Sequence, residues 1–144
     1  MIYPEPPDNF NPRFEIVSCF LENNGEILLL HRPAHKSQGD TWGMPGGKID
    51  EGEDLRYAMA REVREETGLN LPPENFLHFN KYFVRYPDYD FTYHIFSLEL
   101  PVRPAVSLNP DEHKGYQWLS PAKAIELANP ILSLRECIRL FYYP

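Results

Sequence analysis

The stretch Gly47–Leu69, GKIDEGEDLRYAMAREVREETGL, decides the fold. From Asp54 to Thr67 it contains no Gly or Pro and is rich in good helix formers. Gly68 stands where a left-handed C-cap belongs, so the stretch predicts a helix that stops there. On that helix Glu62 lies three residues from Glu65 and four from Glu66, which makes the carboxylates neighbours. At about 100° per residue, Glu62 and Glu66 share a sector with Leu55, Met59 and Val63. A helix shaped by stability alone keeps acids off its apolar stripe. Like charges this close raise one another's pKa unless a cation holds them ionised. Hard carboxylate oxygens with no nearby Cys suit Mg²⁺, or Mn²⁺, rather than zinc. The plainer alternative is a solvated helix laced with ion pairs, the usual meaning of E-R-E patterns.

The spacing adds what the helix alone does not. Gly47 is followed six residues on by Glu53, and after seven more residues by Arg61-Glu62-Val63-Arg64-Glu65-Glu66-Thr67-Gly68-Leu69. This resembles the Nudix box, G-x5-E-x7-R-E-U-x-E-E-x-G-U with U aliphatic, and every fixed position matches. With average residue usage, such a match arises by chance at about one start in 10⁹. The resemblance implies an α+β fold, the Nudix α/β/α sandwich with a mixed β-sheet between helices. It also implies a metal-dependent hydrolase of nucleoside diphosphates linked to another moiety. Just ahead of the box, Trp42-Gly43-Met44-Pro45-Gly46-Gly47 reads as a short strand running into a Gly-Gly turn that allows positive φ and close backbone approach to a ligand.

A chain of 144 residues supports one domain and one sizeable core. No apolar run approaches the roughly 20 residues of a membrane span, so no membrane partner is expected. The opening MIYPEPPDNFNP lacks the basic and apolar regions of a signal peptide. Residues 1–12 read as a Pro-rich arm, either lying on the domain or loose, and residues 13–144 as a single domain. Cys19 and Cys137 sit in apolar contexts, the default for small buried thiols in a reducing compartment, so a cytoplasmic protein is expected. The formal net charge of −7 argues against polymeric nucleic acid as partner, which needs a basic surface. It leaves a small-molecule nucleotide open, because metal ions neutralise phosphates and carboxylates alike. The oligomeric state is not legible.

Along the chain, Phe14–Glu22 and Glu26–Arg32 flank Asn23-Asn24-Gly25, a strong hairpin signal. A polar loop, Pro33–Asp40, precedes the strand at Trp42. Asn75–Tyr86 and Phe91–Leu100 predict a second hairpin around Pro87–Asp90, and Gly115–Leu119 a short strand. Ser120-Pro121 starts a helix expected to run to Ala128, with Ser120 as N-cap, and Ser133–Tyr142 a final helix.

Outside the box the candidates are individual residues. Glu112, in the loop Asn109–His113, matches an outlying glutamate that in several family members binds metal or acts as general base; an ordinary acidic loop explains it as well. His113 is a second candidate base. Among His31, Arg32, His35 and Lys36, Arg32 is the best phosphate contact, in bidentate fashion. A solvated hairpin end explains that cluster equally. Lys48 is better placed for substrate. Trp42, Tyr82, Phe83 and Tyr86 offer stacking faces for a base. Tyr86 also falls in the window where the dinucleoside polyphosphate hydrolases carry a Tyr. Asn129 matches the asparagine that reads a purine edge in the 8-oxo-dGTP-cleaving members, although Asn before Pro at a helix end is also a stop signal.

The resemblance therefore implies Glu62, Glu65 and Glu66 as metal ligands, with the Gly46 carbonyl and also Glu53 and Glu112 completing the set. Arg61 orients a box glutamate. Glu62 and Glu112 are rival bases for the attacking water. Hydrolases of dinucleoside polyphosphates or of RNA 5′ ends, and a non-catalytic nucleotide sensor, are the alternatives.

Overall fold

Asn24 and Gly25 both take left-handed backbone angles, φ 52° and 77°. That is the two-residue turn whose twist matches the strands it joins. It links β2 (Pro12–Asn23) to β3 (Glu26–His31), as the sequence predicts. The computed structural model describes residues 1–144. The other elements are β1 (Ile2–Tyr3), β4 (Trp42–Gly43), β5 (Gly46–Lys48), α1 (Leu55–Thr67), a 3₁₀ turn at Pro73–Asn75, β6 (Leu77–Arg85), β7 (Asp90–Glu99), β8 (Gly115–Leu119), α2 (Pro121–Ala124) and α3 (Leu134–Tyr142).

β2 organises the sheet. It runs parallel to β7 from Glu15 to Glu22, and β7 in turn pairs antiparallel with β6. β2 and β3 pair only next to their turn, at Glu22–Ile27 and Asn23–Glu26. Beyond that point β2 pairs with β5 instead, Ile16 to Ser18 opposite Lys48 to Gly46. β3 meanwhile pairs with β8 and with β4. The mixed sheet thus opens between β2 and β3.

Each face of the sheet has its own apolar layer. Val17, Cys19, Leu21, Leu28 and Leu30 pack under Ala58, Met59 and Val63 of α1. Phe20, Ile27, Leu29 and Ile95 pack under Ala124 of α2 and Leu134, Cys137 and Ile138 of α3. Side chains alternate across a strand, which sends neighbours in β2 to opposite layers. The result is the expected α/β/α sandwich. Met59 and Val63 are fully buried, each stabilising the docked helix by about 1.5–3 kcal/mol. Phe20 stacks on Phe141 at 5.1 Å and fixes α3.

Three expectations are refined. Gly46 and Gly47 belong to a strand rather than a turn, and neither has positive φ. α2 ends at Ala124 rather than Ala128: Glu126 and Leu127 donate to Lys123 and Ala124, the tighter i→i+3 pattern in which a helix runs out before Asn129-Pro130. The N-terminal arm lies on the domain, with Ile2 and Tyr3 paired to Val84 and Phe83 and Phe10 edge-on to Phe83. Cys19 and Cys137 are buried free thiols. No helix is long and apolar enough to cross a membrane.

Candidate active site

α1 is set at both ends by its own sequence. The Asp54 carboxylate accepts from the backbone N–H of Arg56 and Tyr57, and Gly68 closes the helix at φ 75° with its N–H on the Arg64 carbonyl. With Met59 and Val63 pinned to the sheet, Glu62 and Glu66 are carried inward. Glu66 is 8% exposed. One oxygen accepts from the Gly46 N–H at 2.7 Å, and the other lies 3.8 Å from His113 Nδ1. Burial pushes the Glu66 carboxyl well above its ordinary pKa, only partly opposed by the Gly46 hydrogen bond.

The two glycines are required by space. A Cβ on Gly46 would stand 2.3 Å from the Val17 carbonyl oxygen, and one on Gly47 would stand 2.5 Å from the Glu62 carboxylate. Glu62 thus presses directly on the β5 backbone. Its pKa is raised as well, first by burial and against the pull of Arg61.

Arg61 clasps the remaining acids. Its guanidinium donates to Glu53 at 2.6 and 2.9 Å, to Glu62 at 3.0 Å, to Glu65 at 3.2 Å and to the Lys48 carbonyl at 3.2 Å. Hydrogen bonding to Arg61 lowers the Glu53 pKa. Glu53 is therefore an ion-pair partner of Arg61 first. In this arrangement no three His, Cys, Asp or Glu side chains converge tightly enough to grip an ion: Glu53, Glu62 and Glu65 are engaged by Arg61, and Glu66 by the Gly46 N–H.

A cavity of about 460 Å³ opens where the sheet parts. At one end are Glu66, Gly46, Gly47, His113 and Arg32; along the walls run Phe14, Tyr86, Tyr89, Phe91 and Tyr93, with Ile131, Leu132 and Leu134 from the α3 side. Lys48 lies over the Phe14 ring at 4.2 Å and Arg13 over the Tyr89 ring at 5.5 Å, so two cations flank the wall without a carboxylate partner. Of the candidate site residues singled out in the sequence, Arg32, Gly46, Lys48, Glu66, Tyr86 and His113 line this cavity. Glu53, Glu62, Glu65 and Arg61 form the adjoining acidic cluster. Arg32 is presently turned to Ser37, its Nε donating to that carbonyl at 2.8 Å.

The outlying candidates separate. Glu112 is half-exposed and paired with Lys36 at 3.3 Å, yet close enough for its charge to bear on Glu66. His113 is buried, its Nδ1 has no hydrogen-bond partner, and burial first and Arg32 second push its pKa down to about 4. The Asn129 carboxamide donates to the Asp40 carbonyl, and the Asn129 backbone carbonyl accepts from the Trp42 N–H at 3.0 Å. Asn129 straps two loops together and does not line the cavity. Of the four aromatics expected as stacking faces, only Tyr86 does so. Trp42 stacks on His31 at 4.2 Å, and Tyr82 belongs to the core. Phe14, Tyr89, Phe91 and Tyr93 supply the wall instead. Alternation in β2 and β7 puts Phe14, Phe91 and Tyr93 on one face, a signal readable once the parallel pairing of those strands is known.

This geometry has known counterparts. The NUDIX domain family model matches residues 12–141. The CTP pyrophosphohydrolase of Escherichia coli (strain K12) is 30% identical over 112 residues, covering 78% of this chain and 79% of that one. The human 8-oxo-dGDP phosphatase NUDT18 is 34% identical over 77 residues, which span 51% of this chain but only 24% of that protein. Among solved structures, the MutT protein from Methanosarcina mazei Go1 superposes with a TM-score of 0.78 at 27% identity, covering 91% of this chain and 94% of that one. Given an intact box on a capped helix, the acids it carries inward and a match over nearly its full length, the chain belongs to the Nudix family and is a pyrophosphohydrolase, an enzyme of phosphoric anhydride bonds.

Proposed function

We propose that the enzyme hydrolyses a nucleoside di- or triphosphate derivative to a nucleoside monophosphate, using Mg²⁺, with Mn²⁺ as substitute. The observation that carries this reading is the cavity joining a buried carboxylate to an aromatic wall, with unpaired cations over two of its rings. The names of the relatives, one for CTP and one for 8-oxo-dGDP, point to the same class. Glu62, Glu65 and Glu66 are proposed to hold the metal, with the Gly46 carbonyl, Glu53 and Glu112 as further ligands. The donor set fits a hard cation, since every side-chain donor is a carboxylate and Glu66 is a buried acid that a cation would keep ionised. When bound, such an ion polarises phosphoryl oxygens and lowers the pKa of a water.

The chain's own groups do the rest. Arg61 releases the box carboxylates in part and keeps them aligned through Glu53. Arg32, Lys48 and Arg13 neutralise phosphate oxygens, and Tyr86 with Phe14 and Tyr89 flanks the base. Glu62, set against the β5 backbone, and Glu112, paired with Lys36, are the rival bases for the attacking water. The reduced state of two buried thiols suits the cytoplasm.

Incubation with a panel of nucleotides, nucleotide sugars, dinucleoside polyphosphates and 5′-triphosphorylated RNA, with product identification, tests this reading. Release of a nucleoside monophosphate in Mg²⁺ supports it. Tight nucleotide binding with no turnover would instead make the domain a sensor.

A further inference from the structure

We infer that Gln38 reads the base and selects nucleotides carrying a carbonyl oxygen, rather than an amino group, at the purine 6 or pyrimidine 4 position; this rests on the nucleotide reading of the cavity given above. Gln38 lines the cavity together with Tyr86 and Leu132. Its backbone stands at φ +50°, in the left-handed region that a residue of this kind seldom occupies. Such a conformation persists where the surroundings enforce it, and ligand clamps are where it clusters. Two bonds enforce it here. The Thr41 hydroxyl donates to the Gln38 carbonyl at 2.6 Å, and the Leu132 N–H donates to Gln38 Oε1 at 2.8 Å.

The second bond settles which way the carboxamide faces. A backbone N–H pairs with the oxygen and not with the NH₂ group, so Oε1 is fixed on Leu132 and Nε2 is turned away from it. Tyr86 gives its hydroxyl proton to the Leu132 carbonyl at 2.9 Å, which leaves its oxygen as acceptor. Leu132 occupies one lone pair of Oε1, so the unengaged hydrogens of Nε2 are what Gln38 offers first. Glu66, the one carboxylate on the cavity wall, belongs to the phosphate end.

A donor placed at the edge of a base discriminates by sign. O6 of hypoxanthine or guanine, or O4 of uracil, accepts from Nε2–H. The amino group of adenine or cytosine at the same place sets donor against donor and leaves both unpaired. Sites built to pair a polar group reject the mismatched analogue more strongly than apolar pockets reject a methyl group.

The test compares ITP with ATP, a pair that differs at this position, and UTP with CTP, in Mg²⁺ with the full chain. Binding of IMP and AMP by calorimetry is measured in parallel. The wild type is expected to favour the carbonyl base by at least about tenfold in kcat/KM, and in the same direction in monophosphate affinity. Gln38→Ala should bring both ratios to near one. Gln38→Glu keeps an oxygen for the Leu132 N–H and replaces the donor with an acceptor, so it should reverse the preference while the melting temperature stays close to wild type. Equal use of ITP and ATP by the wild type overturns the inference, as does a preference that both variants leave intact. Absence of hydrolysis with IMP–AMP discrimination that depends on Gln38 would remove the catalytic reading and leave the base reading standing.

Discussion

Glu66 is an acid in an apolar place, and its surroundings set opposite expectations for chemistry and for stability. Glu66→Gln keeps an oxygen for the Gly46 N–H but removes a charge proposed to hold the metal, so kcat should fall about 10²-fold or more. Because burial raises its folded pKa above the unfolded value, this group favours folding while both states hold the proton. That contribution is lost as pH rises from the ordinary glutamate range through the raised value. In EDTA the wild type should therefore lose stability across that window, and Glu66→Gln should be flatter there and at least as stable at neutral pH. Melting curves against pH decide it; a steeper loss in the variant would contradict the burial argument. Glu53 is the converse case. Its pKa is lowered by Arg61, so its contribution is present above the ordinary glutamate value and lost as pH falls through the lowered one. Glu53→Gln should destabilise by about 1.5–3 kcal/mol, the range for hydrogen bonds to charged groups, as read by urea unfolding at pH 7. These acids are legible in the sequence because one helix holds them and helical spacing is local. Gln38 is not, since its direction depends on Leu132, far along the chain, and nothing near position 38 signals that contact.

At the scale of the element, β5 is the most constrained piece. Gly46→Ala sets a methyl against the Val17 carbonyl, a backbone atom that cannot yield without breaking the β2–β5 ladder. Gly47→Ala meets the Glu62 carboxylate, the far end of a flexible side chain. The expectation is a large drop in melting temperature for the first variant. The second should fold with a small drop yet lose activity about tenfold or more, because Glu62 is displaced from its place beside the backbone. Thermal melts paired with kcat measurements check both, and equal stability loss in the two would argue against the spatial reading. The sequence marks these glycines but suggests positive φ as their reason. The close approach that makes them necessary appears only when β2 and α1 converge on the same three residues. The sequence over-extends the helix after Ser120 for a related cause: its start carries a strong local signal, whereas its end is drawn into the strap formed by Asn129 with Trp42 and Asp40.

For the whole molecule, the clasp of Arg61 on Glu53, Glu62 and Glu65 means that the fold supplies its own counter-charge. EDTA should then abolish hydrolysis while shifting the melting temperature only slightly. Added Mg²⁺ should restore activity and raise the melting temperature progressively with concentration, as a ligand of the native state does. Unfolding in EDTA at room temperature would show that Arg61 does not compensate the acids.

The parallel ladder between β2 and β7 has a consequence in time rather than in space. Residues 15–22 find their central partner only at residues 92–99, with the box helix and β6 strung between. Long-range parallel pairing closes a large loop before it gains any contacts, and it forms late and slowly. On the ribosome, the β2–β3 hairpin must therefore emerge and wait with its apolar faces open until β7 follows. Chains stalled before residue 90 should be the aggregation-prone species, even though they already carry every glutamate of the box.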